Sequence, residues 1–295
     1  MLRRLGSVVL LLAALNAARA DASFLPGQFQ CHFREGLLGV EVELQGNHIL
    51  HFLVDSGASA SILNLPAAQK LGIKFGKKTS IAGMRASAEA HWSPELTLKI
   101  GDGFITQKFL IANLHALSGI TSKVDGLIGA DFFAGKIVEI NFVTETIRLL
   151  DDAPLEKRPF IPLKITPEGT FLLAASVNRN PTQWFRLDTG CSSSLQWVTG
   201  CANSSMHSPE TSVALATRTA LQSFSSFEAG GIFLDGVPTA LRSTPLFGGE
   251  AGLIGNGLLS RFSSVVIDVR SGRLIPGEQR NAIRPDQAAH HFQAR

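Results

Sequence analysis

Leu53-Val54-Asp55-Ser56-Gly57-Ala58-Ser59 and Arg186-Leu187-Asp188-Thr189-Gly190-Cys191-Ser192 are the two stretches that decide the fold. Each sets a carboxylate at the end of an apolar run, then a hydroxyl residue, then a glycine that permits a sharp turn. One copy alone is an ordinary strand-end turn in which Asp or Ser caps the backbone. Two copies, 133 positions apart, are the mark of an internal repeat.

The same shift carries Val40 onto Leu173, Leu44 onto Val177, Phe52 onto Phe185, Gly57 onto Gly190 and Asp102-Gly103 onto Asp235-Gly236. Further along, the offset shortens to 126, where Gly126-Leu127-Ile128-Gly129 meets Gly252-Leu253-Ile254-Gly255, and to 127, where Ile140-Asn141 meets Ile267-Asp268. A loop deletion accounts for the drift. Each half then reads in one order: paired strands, the Asp turn, more strands, the Gly-Leu-Ile-Gly segment and a closing hairpin.

Alternation dominates the local pattern. Val40, Val42 and Leu44 alternate with polar residues, as do Leu96, Leu98 and Ile100, the period of half-buried strands. Helical periodicity is confined to Pro66 to Leu71 and about one turn at Ala130 to Ala134. The expected fold is all-β, with two duplicated β-barrel-like lobes and a cleft between them. Prolines and charges interrupt the apolar pattern from Asp151 to Pro162, so the expected division is a signal segment at 1–20, lobes at 21–156 and 157–277, and a polar tail at 278–295.

Pseudo-twofold pairing of such halves brings the two turns face to face, so that Asp55 and Asp188 share one site. Like charges a few ångströms apart resist joint ionisation, and one proton is held between them. The ionised member can then take a proton from water while the protonated member polarises a carbonyl. This chemistry uses no metal, cofactor or covalent nucleophile. The hydroxyls of Ser56 and Thr189 are placed to bond across to the opposite backbone, or locally within their own turns.

The two Asp-Ser/Thr-Gly turns, each followed by Gly-Leu-Ile-Gly, resemble those of retroviral and pepsin-like aspartic peptidases. Leu127-Ile128-Gly129-Ala130-Asp131-Phe132-Phe133 and Leu253-Ile254-Gly255-Asn256-Gly257-Leu258-Leu259 resemble the later motif of the retroviral subunit. The resemblance spans residues 36–276. It implies a bilobal β-fold, endopeptidase activity on an extended polypeptide, a β-hairpin flap over the cleft, and no cofactor. Asp55 and Asp188 take the catalytic positions, supported by Ser56, Gly57, Thr189 and Gly190.

Two departures from that pattern matter. Ala58 and Cys191 follow the glycines where pepsin-like enzymes place a hydroxyl, and loss of a donor near a carboxylate raises its pKa, so the optimum is expected to be less acidic than that of pepsin. The chain contains no tyrosine, which the pepsin-like flap presents over the cleft. The first-lobe flap candidate is Ala82-Gly83-Met84, with Gly83 at its tip; the matching stretch, Thr217 to Gln222, has no glycine, so one flap is expected.

Other chemistries find less support. No histidine near Cys191 in sequence could activate it as a nucleophile. The histidines at 32, 48, 51, 91, 115 and 207 lack the helical spacing of a zinc site. The rival readings of the chain are a catalytically silent peptide- or protein-binding module of the same fold, and a retroviral-like subunit active only as a homodimer. Two aspartates in one duplicated chain favour a peptidase that works as a monomer.

The first twenty residues combine Arg3 and Arg4, the apolar run Val8 to Leu15 and Ala18-Arg19-Ala20, which reads as a cleaved secretory signal. They hold three of the 27 basic side chains and none of the 24 acids, leaving a balanced mature chain. That balance gives no ground for nucleic-acid or membrane binding, and the expected place is an exported compartment. Cys191 and Cys201 are close enough in sequence for a disulfide, although three cysteines fix no connectivity.

Overall fold

A computed structural model describes residues 27–44, 48–82, 87–118, 124–152, 158–199, 221–245 and 247–280. The fold is all-β and bilobal, and its two halves repeat one strand plan. In the first, Leu37–Leu44 pairs antiparallel with His48–Val54, placing Val40 opposite Phe52. In the second, Phe171–Val177 pairs with Gln183–Asp188, placing Leu173 opposite Phe185. All four side chains are buried, so alternation in each strand fixes its register against the core.

The next step is a parallel pairing beside each aspartate strand. Gly126–Ile128 runs beside His48–Val54, and Gly252–Gly255 runs beside Gln183–Asp188. Both glycine segments are buried and near-continuously apolar, as strands covered on both faces must be. Each is flanked on its other side by a short antiparallel strand, Ile62–Asn64 or Leu195–Val198. The aspartates therefore end strands locked in the middle of their lobes.

A second sheet region joins the halves. Ile137–Asn141 pairs antiparallel with Ser264–Asp268, setting Ile140 against Val265. Thr146–Leu150 and Gln28–Gln30 continue outward on one side, Arg273–Pro276 and Ile161–Ile165 on the other. The motif-related strands ending at Asn141 and Asp268 are thus direct partners across the pseudo-twofold. Phe133 packs edge-on against Phe171 with ring centroids 6.0 Å apart, so the apolar core also crosses between halves.

Among the described residues, helix is limited to short pieces. Leu65–Lys70 and Ala130–Phe133 lie where the pattern places them, within a residue, while Leu114–Ser118 and Asn256–Leu259 have no signal in the periodicity. One superposition needs correction. Asp235-Gly236 lies inside the strand Ile232–Arg242, whereas the hairpin turn equivalent to Gly101-Asp102 is Gly230-Gly231. The turn stands 129 positions after its first-half counterpart, so the offset has shortened from 133 by four residues before the hairpin is reached.

Candidate active site

The two Asp turns meet through four hydrogen bonds that cross between halves. Ser56 N donates to Thr189 Oγ1 at 2.9 Å and Thr189 N to Ser56 Oγ at 3.1 Å. The hydroxyls pass the bonds on: Ser56 Oγ donates to Leu187 O at 3.0 Å and Thr189 Oγ1 to Val54 O at 2.8 Å. Ser56 and Thr189 are fully buried, so each group here would lie orphaned without its partner.

That clasp sets each carboxylate against the glycine of the other turn. A β-carbon added to Gly57 would lie 2.5 Å from Asp188 Cγ, and one added to Gly190 would collide with Asp55 Cγ in the same way. The glycines are required by this close approach. The carboxyls of Asp55 and Asp188 are thereby brought close enough for the two acids to titrate as one coupled pair. Asp55 Oδ1 also accepts from Gly57 N and Ala58 N, both at 3.0 Å, and Asp188 Oδ1 accepts from Gly190 N at 2.9 Å.

Burial raises the pKa of both acids. For Asp188 the shift is large, because the Asp55 charge adds to desolvation; for Asp55 the amide donors of Ala58 and Gly57 pull the other way. Asp188 is buried and Asp55 half-buried. Asp55, which accepts two backbone amides to the one on Asp188, is the better supported anion of the pair.

Arg186, to which the sequence reading assigned no role, belongs to this site. It stands where the repeat puts Leu53, two residues before the aspartate, and its side chain is only 9% exposed. Its Nε donates to Glu250 Oε2 at 2.9 Å, and its second contact to Glu250 Oε1 is at 2.5 Å. Nη1 donates to Gly57 O at 3.0 Å, in the opposite turn, and the guanidinium lies 3.7 Å from the ring centre of Phe247. Its positive charge lowers the pKa of both aspartates. A charged residue in an apolar strand, opposite a leucine in the repeat, was the available signal.

Two further ties hold the turns. Ser61 N and Oγ donate to Asp131 at 2.9 and 2.6 Å, and Gly129 N donates to Ser61 Oγ, joining the first turn to its glycine strand. Asn256 Nδ2 donates to Thr189 O at 2.6 Å and, across the halves, to Gly36 O at 2.9 Å.

Cys191 is buried with its Sγ against Ser193 Oγ and Gln196 Nε2. Cys31 is buried elsewhere, where burial, aided by Glu145, pushes its thiol up to about 12. Cys201 lies outside the described residues. So do Gly83 and Met84 of the flap candidate and Thr217 to Ala220 of its counterpart. Ala82 ends the strand Lys78–Ala82, which pairs with Ser87–Ile100 to form the hairpin.

With this geometry in view, comparison with known proteins is informative. Residues 40–132 match the aspartyl protease family. The fold is similar to that of the aspartic proteinase from Irpex lacteus, with a TM-score of 0.53 and 13% sequence identity, covering 87% of this chain and 98% of that one. No curated protein matches the chain in sequence. The resemblance to aspartic peptidases of the pepsin and retroviral type thus rests on a sequence match in the first half and on the fold of both.

Proposed function

We propose that this chain, whose fold is that of the pepsin-like aspartic peptidases, hydrolyses internal peptide bonds of an extended polypeptide with a water activated between Asp55 and Asp188. The observation that carries the reading is the close approach of two carboxyls, each seated against the other's turn glycine. A buried carboxylate pair is costly, and a fold has no need of one for stability.

Asp55 acts as the base and Asp188 as the acid. Asp55 removes a proton from water as the water oxygen bonds to the scissile carbonyl carbon, and Asp188 gives its proton to the carbonyl oxygen. The tetrahedral intermediate then collapses: the C–N bond breaks, the nitrogen leaves protonated by Asp55, and Asp188 recovers its proton from the hydroxyl. Ser56 and Thr189 keep the carboxyls in register, and Arg186 holds the first turn through Gly57 O. Since both acids come from one chain, one copy suffices. The signal-like first twenty residues support action in an exported compartment.

The reading is tested by digesting an unfolded protein in water enriched in oxygen-18 and mapping the products by mass spectrometry. Internal cuts are expected, with heavy oxygen in each new carboxyl terminus and no acyl adduct on the enzyme. A trapped adduct, or trimming from chain ends alone, contradicts it.

A further inference from the structure

Away from the carboxylate pair, the first half carries an open cavity of about 530 Å³ walled by Phe75, Trp92 and Pro94 and rimmed by Lys74, Lys77 and Lys108. It exists because the strand Ser87–Ile100 slips register between Trp92 and Glu95. Pro94 has no N–H to give the ladder, and at this break Ser93 Oγ replaces a backbone carbonyl as acceptor from Phe109 N at 2.9 Å while donating to Pro94 O at 2.6 Å. The facing wall is clamped by Gly76 N to Trp92 O at 2.7 Å and Trp92 N to Lys77 O at 3.0 Å. Phe75 stacks on His91 with ring centres 5.6 Å apart and remains 42% exposed.

Three lysines line this cavity and no acid does. Nearby Lys78 pairs with Glu89, but among the described residues the ion pairs include none from Lys74, Lys77 or Lys108. Lys108 faces Glu95 in the strand register without coming within ion-pair distance. Three ammonium groups around one apolar hollow repel one another, and an anionic ligand with an apolar part relieves that repulsion while covering the two rings. The hollow is bounded by these three lysines and the two rings. It has room for a few side chains, which favours polypeptide over nucleic acid.

We propose that this cavity is an exosite for an acidic stretch of polypeptide, with Asp or Glu side chains on Lys74, Lys77 and Lys108 and an aromatic or aliphatic side chain on Phe75 and Trp92. The cavity sits at the base of the Lys78–Ala82 hairpin, in the half that carries Asp55. Its use, recruiting acidic polypeptides for cleavage, rests on the peptidase reading; the binding itself does not.

The test is fluorescence anisotropy of a labelled nonapeptide, eight glutamates around a central phenylalanine, added to the full chain carrying Asp55→Asn and Asp188→Asn. Adding Lys74→Ser, Lys77→Ser and Lys108→Ser, all on exposed positions, is expected to weaken binding about tenfold or more. Phe75→Ser alone should weaken it severalfold, and a lysine-for-glutamate peptide should not bind. Unchanged affinity in the triple lysine variant overturns the proposal. So does displacement by a nine-residue oligothymidylate at lower concentration than by unlabelled peptide. Lysine-dependent binding without cleavage by the native chain would keep the exosite and sink the peptidase reading; cleavage with lysine-independent binding would do the reverse.

Discussion

Ser56 and Thr189, equivalent residues of the two halves, exchange amide-to-hydroxyl hydrogen bonds at 2.9 and 3.1 Å and join the turns that carry Asp55 and Asp188. Thr189→Val keeps the shape and removes the hydroxyl, leaving Ser56 N and Val54 O without partners. The expected cost is about 1–3 kcal/mol of stability. Activity should fall further than stability explains, because the carboxyls lose their register. Urea unfolding together with the cleavage rate checks this; an unchanged rate in a destabilised variant would remove the clasp from the catalytic account.

Gly57 and Gly190 are predicted to be intolerant of even one methyl group. Gly190→Ala must push Asp55 aside, and Gly57→Ala must push Asp188, while neither backbone lies in the left-handed region. Both variants should fold and lose about a hundredfold or more in rate. Circular dichroism beside cleavage kinetics decides the matter, and near-native rates would mean that the carboxyls do not work at this separation.

Arg186 and Glu250 should shift the pH profile in opposite directions. Removing the guanidinium with Arg186→Met takes away a charge that lowers both aspartate pKa values, so both limbs of the profile move up. Glu250→Gln frees that guanidinium from its partner and should move both limbs down. Each single change breaks a buried pair, at roughly 3–5 kcal/mol. Shifts of the same sign in the two variants would show that Arg186 acts through packing alone.

Stability should also report the dyad. A carboxyl whose folded pKa is raised, as that of Asp188 is, binds a proton more tightly in the native than in the unfolded chain. Native stability then falls as pH rises from the unfolded carboxyl range through the folded value, by at most about 1.4 kcal/mol per pH unit for one proton. Asp188→Asn removes that dependence, so the variant should gain on the native chain between pH 4 and 7. Parallel melting curves across that range would contradict the raised pKa.

Much of this architecture is legible in the residues because it repeats. The pairing of Val40 with Phe52 and of Leu173 with Phe185 follows from alternation and one offset, and the glycine segments mark themselves by composition. The pairing of Ile137–Asn141 with Ser264–Asp268 does not, since strand partners more than a hundred residues apart leave no local trace. Arg186 was hidden by a different cause. Its meaning depends on Glu250 and Phe247, which come from a loop that no periodicity aligns. Asp235-Gly236 misled because the offset shortens before the hairpin, so the turn falls at Gly230-Gly231 while a similar dipeptide lies within the following strand.

The central claim, that Asp55 and Asp188 form one catalytic pair, is tested most directly by cleavage of an unfolded protein from pH 3 to 7 with the native chain, Asp55→Asn and Asp188→Asn. The account predicts activity in the native chain and its loss in both folded variants. Activity that survives either substitution would contradict a shared dyad.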